Sequence, residues 1–272
     1  MSHNLLKGKR GIIFGALNDR SIAWKVAQVA HAQGATFTLT NAPIALRMGE
    51  INKLAEECGG AEVIPADATS MEDLENLLTK SQEILGGKID FILHSIGMSP
   101  NVRKGREYGN LNYDWMVKSL DVSAMSFHRL MQTAEKLDAM NEWGSIMGLS
   151  YIAAQRTFPD YSDMAQAKAL LESIARSYGE RFGRLKNVRV NTISQSPTMT
   201  TAGTGVGGFD VFFDYADKMS PLGNASAEDC ANYTIMFFSD FTRMVTMQNL
   251  YHDGGFSSSG ITDALIEQLK KD

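Results

Sequence analysis

Short apolar runs alternate along this chain with longer stretches whose apolar residues recur at helical spacing. Lys9–Phe14, Ala35–Thr40, Ala61–Ala66, Ile89–His94, Trp143–Leu149, Val188–Ile193 and Met247–Tyr251 read as strands. Ser21–Gln33, Met71–Leu85, Tyr113–Asp138, a stretch reaching to about Arg181, and Ala227–Ser239 read as helices. The apolar run at 89–94 has the pattern of a strand covered on both faces. Strands and helices alternating in this way imply a parallel seven-stranded sheet with helices on both faces, a doubly wound α/β fold. No composition shift or linker divides the pattern, so residues 1–272 read as a single domain.

Composition narrows the classes. The net charge of −5 argues against nucleic acid as the main partner. No apolar run approaches the ~18 residues of a membrane span. The opening MSHNLLKGKRGIIF lacks a signal-peptide shape and runs directly into the first strand. Cys58 and Cys230 lie far apart, which fits reduced thiols and a cytoplasmic location. The five histidines form no HxxxH pattern or Cys/His cluster, so no metal is expected.

In sheets of this kind ligands bind beyond the carboxyl ends of the strands. After the first strand, Gly15 opens a short loop and Ser21-Ile22 starts a helix. This reads as a phosphate cradle or as a plain strand–helix turn. After the third, Asp67-Ala68 could accept from an adenine amino group or belong to a helix N-cap region. After the fourth, Ser95-Ile96-Gly97 is a small-residue turn, open to a ribose or simply tight. After the sixth, Thr198 leads into a stretch with Gly203, Gly205, Gly207 and Gly208 beside Val206, Phe209, Phe212 and Phe213. That stretch, about 198–220, reads as a lid over an apolar substrate, or as a surface loop.

Tyr161 and Lys168 are seven residues apart. With Pro159 and Asp160 as turn and N-cap, both would lie on one face of a helix, about two turns apart. An ammonium there would lower the phenol's pKa and suit it to a developing oxyanion. The same spacing also suits an ordinary amphipathic helix with Met164 and Leu171 in the core.

Taken together, GALNDRSIA at 15–23, His94-Ser95-Ile96-Gly97, Leu149-Ser150-Tyr151 with Tyr161-x6-Lys168, VRVNTIS before Pro197, and Asp253-Gly254-Gly255-Phe256 resemble the short-chain dehydrogenase/reductase superfamily. More narrowly, from Lys9 to about Ser259 they resemble the NADH-linked bacterial enoyl-[acyl-carrier-protein] reductases. The superfamily at large carries Tyr-x3-Lys, whereas position 164 here is Met164. A longer spacing suits an oxyanion two carbons from the hydride acceptor. The resemblance implies a Rossmann-like fold and NADH-dependent reduction of trans-2-enoyl thioesters in fatty-acid elongation. It makes Tyr161 the hydrogen-bond donor to the thioester oxygen, Lys168 the holder of the nicotinamide ribose, and Tyr151 a second tyrosine of the site. It places Gly15, Ser21 and Ile22 at the pyrophosphate, Asp67 and Ala68 at the adenine, and Ser95, Ile96 and Gly97 around the ribose. Met164 and Phe209 would line the acyl pocket.

Two departures stand out. Gln195-Ser196-Pro197-Thr198 replaces a family Ala-Gly-Pro-Ile run that meets the nicotinamide carboxamide, so Thr198 alters that contact. The superfamily's catalytic asparagine is replaced near Asp121. NADH is favoured over NADPH on charge, because Thr40-Asn41-Ala42-Pro43-Ile44 offers no cation to a 2′-phosphate before Arg47. The resemblance also implies an acyl carrier protein as the bearer of the substrate and a homotetramer, with 113–138 and the Lys168 helix as contacts. Arg103, Lys104 and Arg106 read as a docking patch for that acidic partner or as a solvated loop. The competing readings are a 3-oxoacyl-thioester reductase of the same superfamily and a catalytically silent nucleotide-binding protein.

Overall fold

The computed structural model describes residues 3–201, 203–205 and 208–270. Val206 and Gly207 of the expected lid lie outside the described residues, as does the side chain of Asp160.

Seven parallel strands form one sheet: β1 (Arg10–Phe14), β2 (Thr36–Asn41), β3 (Val63–Pro65), β4 (Ile89–His94), β5 (Met140–Ser150), β6 (Arg189–Gln195) and β7 (Asn249–His252). Their order is β3-β2-β1-β4-β5-β6-β7. The sheet is buried on both faces because side chains alternate with a period of two. Ile13, Leu39, Phe91, Leu93 and Met147 face one core with Trp24, Leu54 and Phe238. Ile12, Phe14, Ile92, Ile146 and Val190 face the other with Leu74, Phe127, Leu171 and Phe182. Helices α1 (Ile22–Ala32), α3 (Ile51–Glu57) and α10 (Ala227–Phe238) supply the first layer, and α4 (Met71–Leu85), α7 (Ser126–Lys136) and α8 (Met164–Lys186) the second.

Further helices complete the chain: α2 (Pro43–Met48), α5 (Pro100–Arg103), α6 (Tyr113–Leu120), α9 (Phe209–Met219) and α11 (Asp263–Leu269). Three expectations change here. The single helix expected over 113–138 is α6 and α7 joined by a π-helical turn at Asp121–Met125. π-turns inside helices cluster at functional sites. This one turns Ser123 inward, where its hydroxyl accepts from Met98 N at 2.9 Å. Asp121 pairs with Arg129 at 2.6 Å. The stretch expected as a lid contains a helix, α9, with Phe209, Ala216 and Met219 buried. The helix carrying Lys168 begins at Met164, after Tyr161.

Strand order reverses at β1, whose neighbours β2 and β4 connect onward in opposite directions. A crevice at such a switch point is where open α/β sheets bind dinucleotides. Among the described residues no helix is long and apolar enough to cross a membrane, and no group of three or more His, Cys, Asp or Glu could hold a metal.

Candidate active site

The loops after β1 and β4 touch through bare backbone. Gly15 has φ +95°, and a Cβ built on it would stand 1.9 Å from the Ser95 carbonyl oxygen. Ser21 precedes α1 in extended conformation, and its hydroxyl accepts from Leu17 N (3.1 Å) and Asn18 N (3.2 Å). The serine thus folds the loop, and the first N–H groups of α1 have no acceptor within the helix. Close-approaching backbone beside a helix N-terminus fits the pyrophosphate of a dinucleotide. Thr201 Oγ1 accepts from Asn18 Nδ2 (2.9 Å) and Arg20 Nη2 (3.2 Å), joining this loop to the segment after β6.

At the end of β2, Asn41 is half-buried, donating to Ala16 O at 3.0 Å and accepting from Ala42 N at 2.9 Å. Arg47 is exposed in the last turn of α2. Asp67 is exposed, and its Oδ1 accepts from Thr69 N and Thr69 Oγ1. Its turn role is therefore real, while Ser70 is the N-cap of α4. Ala68 is buried beside it. Thr198 Oγ1 donates to Ser196 O at 2.9 Å.

Lys168 lies on α8, buried, with its Nζ donating to Leu149 O at 2.6 Å. Burial lowers its pKa to about 8, and the Glu172 carboxylate one turn further along α8 opposes that fall. Glu172 is itself buried, accepting from Ser150 Oγ (2.6 Å) and Gln155 Nε2 (3.1 Å). A Cβ on Gly97 would lie 3.7 Å from Lys168 Nζ and 3.5 Å from Met164 Cε, so the loop after β4 closes over both. His94 Nε2 pairs with Ser126 Oγ at 2.8 Å, and burial followed by the Lys168 charge pushes the imidazole down to about 3. His94 is neutral packing at physiological pH.

Tyr161 ends a short 3-10 turn, Pro159–Tyr161, outside α8. The expectation of one helical face shared with Lys168 therefore fails, and so does Asp160 as N-cap; Asp163 holds that position. The physical reason is Ser162, whose φ of 47° and ψ of −133° no helix accepts. The expected lowering of the phenol's pKa fails too. Burial raises Tyr161, because phenolate loses its water there while the Lys168 proton is directed to Leu149 O. Tyr151 is raised for the same cause, with the charges of Tyr161 and Asp253 adding to it.

The two phenols pack at 5.0 Å between ring centroids. Around them stand Phe158, 5.5 Å from Tyr151, and Phe212 of α9, 5.9 Å from Tyr151 and 4.7 Å from Phe158. Phe256 closes the group from the turn after β7, where Asp253 accepts from Gly255 N and Ser257 N. Met164 packs with Val102, Ala167, Leu120 and Tyr161. Phe209 is buried against Phe213 and the Gly203 turn. The sequence singles out Tyr151, Tyr161 and Met164, places Phe212 in the stretch read as a lid, and carries Phe256 in the Asp253-Gly254-Gly255-Phe256 motif. Nothing local marks Phe158 or Glu172.

Fold and site together fit a dinucleotide-binding reductase, with a buried lysine and two packed phenols beside an aromatic cluster. A family model for enoyl-(acyl carrier protein) reductase matches residues 15–257. The enoyl-[acyl-carrier-protein] reductase [NADH] FabI of Rickettsia bellii is 37% identical over 266 residues, covering 96% of this chain and 98% of its own. A FabI–NADH complex from Alistipes finegoldii superposes with a TM-score of 0.95 at 63% identity, covering 97% of this chain and 93% of that one. The Bacillus cereus enoyl-acyl carrier protein reductase, solved with NADP+ and an indole naphthyridinone, superposes at 0.88 with 30% identity, covering 96% and 100%. The chain belongs to the enoyl-(acyl carrier protein) reductase family.

Proposed function

We propose that this protein reduces trans-2-enoyl thioesters of acyl carrier protein with NADH, completing a round of fatty-acid elongation. One observation carries the reading: the buried Tyr151 and half-buried Tyr161 pack together beyond the end of β5 and against Phe212 of α9, while the buried Lys168 donates to Leu149 O near the end of the same strand. The dihydronicotinamide, when bound, supplies hydride to the β-carbon of the enoyl group. Negative charge then develops on the thioester oxygen, and a proton taken up from solvent at the α-carbon gives the saturated thioester. Burial keeps the Tyr161 hydroxyl protonated at neutral pH, so it donates a hydrogen bond to that oxygen. Lys168 holds positive charge behind the site and is placed to bind the ribose hydroxyls. Tyr151 borders the thioester, and Phe158, Phe212 and Phe256 exclude water from the acyl chain. Gly15, Ser21 and Ile22 cradle the pyrophosphate, with Asp67 and Ala68 at the adenine, Ser95, Ile96 and Gly97 along the ribose, and Thr198 near the carboxamide.

NADH over NADPH follows from the neutral end of β2, where Asn41 is committed to backbone partners. The Bacillus cereus relative binds NADP+ on the same fold, so this choice is local. The carrier protein docks at Arg103, Lys104 and Arg106, all exposed at and just beyond the end of α5, whose Val102 packs on Met164. Apolar Tyr113 and Val117, 78% and 66% exposed on α6, support assembly into a tetramer. Tyr161→Phe tests the central assignment: turnover should be lost with NADH binding intact, and near-normal turnover would remove Tyr161 as the donor.

A further inference from the structure

We infer that Asp163 is a positioning residue for Tyr161, locking the turn that carries the phenol through a buried set of hydrogen bonds no part of the assigned chemistry requires. The side chain is fully buried. Its Oδ1 accepts from Ser99 Oγ at 2.6 Å, and its Oδ2 accepts from Asn101 Nδ2 at 2.9 Å. Ser119 Oγ lies 2.9 Å from Oδ2 and 2.8 Å from Trp115 O, and its single proton serves one acceptor at a time. These partners come from the N-cap and body of α5 and from α6, so the carboxylate ties three separate segments together. Asn101 is fixed in turn by Asn112, donating to its O and accepting from its N, both at 3.0 Å.

What this network holds in place is Ser162. Its φ of 47° lies in the region that favours glycine, and its side chain is buried. A residue with a Cβ stays there only when its surroundings over-determine it. Asp163, the next residue, supplies that constraint, and α8 directly beyond it adds to it, with Ala165 N donating to Ser162 O at 3.2 Å. Such strain collects at functional sites, and here it sets the direction in which Tyr161 leaves the turn. A purely stabilising polar cluster would have no reason to sit beside a strained residue that adjoins the hydrogen-bond donor.

The inference rests on the proposed enoyl reduction. Its test is Asp163→Asn in the full chain, with and without Ser162→Gly. Asparagine keeps the shape but turns an NH2 toward groups that also donate. Misplacement by about 1 Å can cost 10²-fold in rate. The expected result is a kcat at least about tenfold lower, with the NADH Kd from fluorescence titration within about twofold of wild type. Glycine at 162 adopts the turn without strain, so the double variant should recover about threefold or more of kcat. An Asp163→Asn protein that folds and keeps its kcat overturns the inference, as does a loss of kcat that Ser162→Gly leaves untouched. If Asp163→Asn does not fold, Ser99→Ala/Ser119→Ala strips two donors instead and must show the same split between kcat and NADH binding. A wild-type protein with no enoyl turnover would overturn the functional reading itself, and this inference with it.

Discussion

Gly15→Ala should cripple cofactor binding more than it harms the fold. The new Cβ would stand 1.9 Å from Ser95 O and 2.9 Å from Ser95 C, both backbone atoms. Ordinary Cβ contacts begin near 3.4 Å, so the loops after β1 and β4 must separate by more than about 1 Å. Those loops follow directly on the paired residues Phe14 and His94, so the movement opens the crevice at its base. The φ of +95° adds strain of about 1–3 kcal/mol for a residue with a side chain. That strain weighs on folding rather than on binding. The collision displaces the two loops that form the crevice, and the NADH Kd, followed by fluorescence, should weaken at least about tenfold, a cost of about 1.4 kcal/mol. Gly8→Ala is the control. Gly8 has φ +77° and nothing within 4 Å of its Cβ position, so that variant carries the strain without the collision. It should lose thermal stability and keep its NADH affinity. A Gly15→Ala protein that binds NADH as well as Gly8→Ala would refute the argument that close backbone approach builds the cradle.

Lys168, held near 8 by burial, should place an alkaline limb in kcat/KM: the ammonium is about nine-tenths present at pH 7 and declines as pH rises through 8. Glu172→Gln removes the charge that supports the ammonium, so the limb should move to lower pH; an unmoved or raised limb would disconnect the pair. Phe212→Ala removes the lid's contact with Tyr151 and Phe158, and should raise KM for a long-chain enoyl thioester severalfold while sparing NADH affinity. Equal losses for short and long chains would take α9 out of acyl recognition. Charge reversal at Arg103, Lys104 and Arg106 should weaken turnover of a carrier-bound substrate and leave its coenzyme A counterpart unchanged. Equal losses on both would remove the docking patch.

The sheet was legible because buried strands advertise themselves: β1 and β4 hold the short apolar runs Ile12–Phe14 and Phe91–Leu93, while β6 sets Val190 and Ile193 among polar residues. The strand β5 starts earlier than its apolar run, at Met140, because a Trp143 with φ 62° lets the register slip against β4. Short helices such as α2 and α5 hold too few residues for periodicity to register. The site was legible where one loop carries it, as in Gly15 and Ser21. The start of α8 was not, since Tyr161 and Lys168 fit helical spacing and nothing about a serine at 162 announces a positive φ. Phe158, Phe212 and Phe256 are distant in sequence and meet only through the fold. Asp163 reads as an ordinary helix-start residue until its three donors, 44 to 64 positions away, close around it.

The most direct measurement is loss of NADH absorbance with a short trans-2-enoyl thioester, beside a 3-oxoacyl thioester and with NADPH in parallel. Rapid oxidation of NADH is expected with the enoyl substrate, little with the 3-oxo substrate, and weak activity with NADPH. Oxidation with the 3-oxo substrate alone would make this a ketoreductase and contradict the role given to Tyr161 and Lys168.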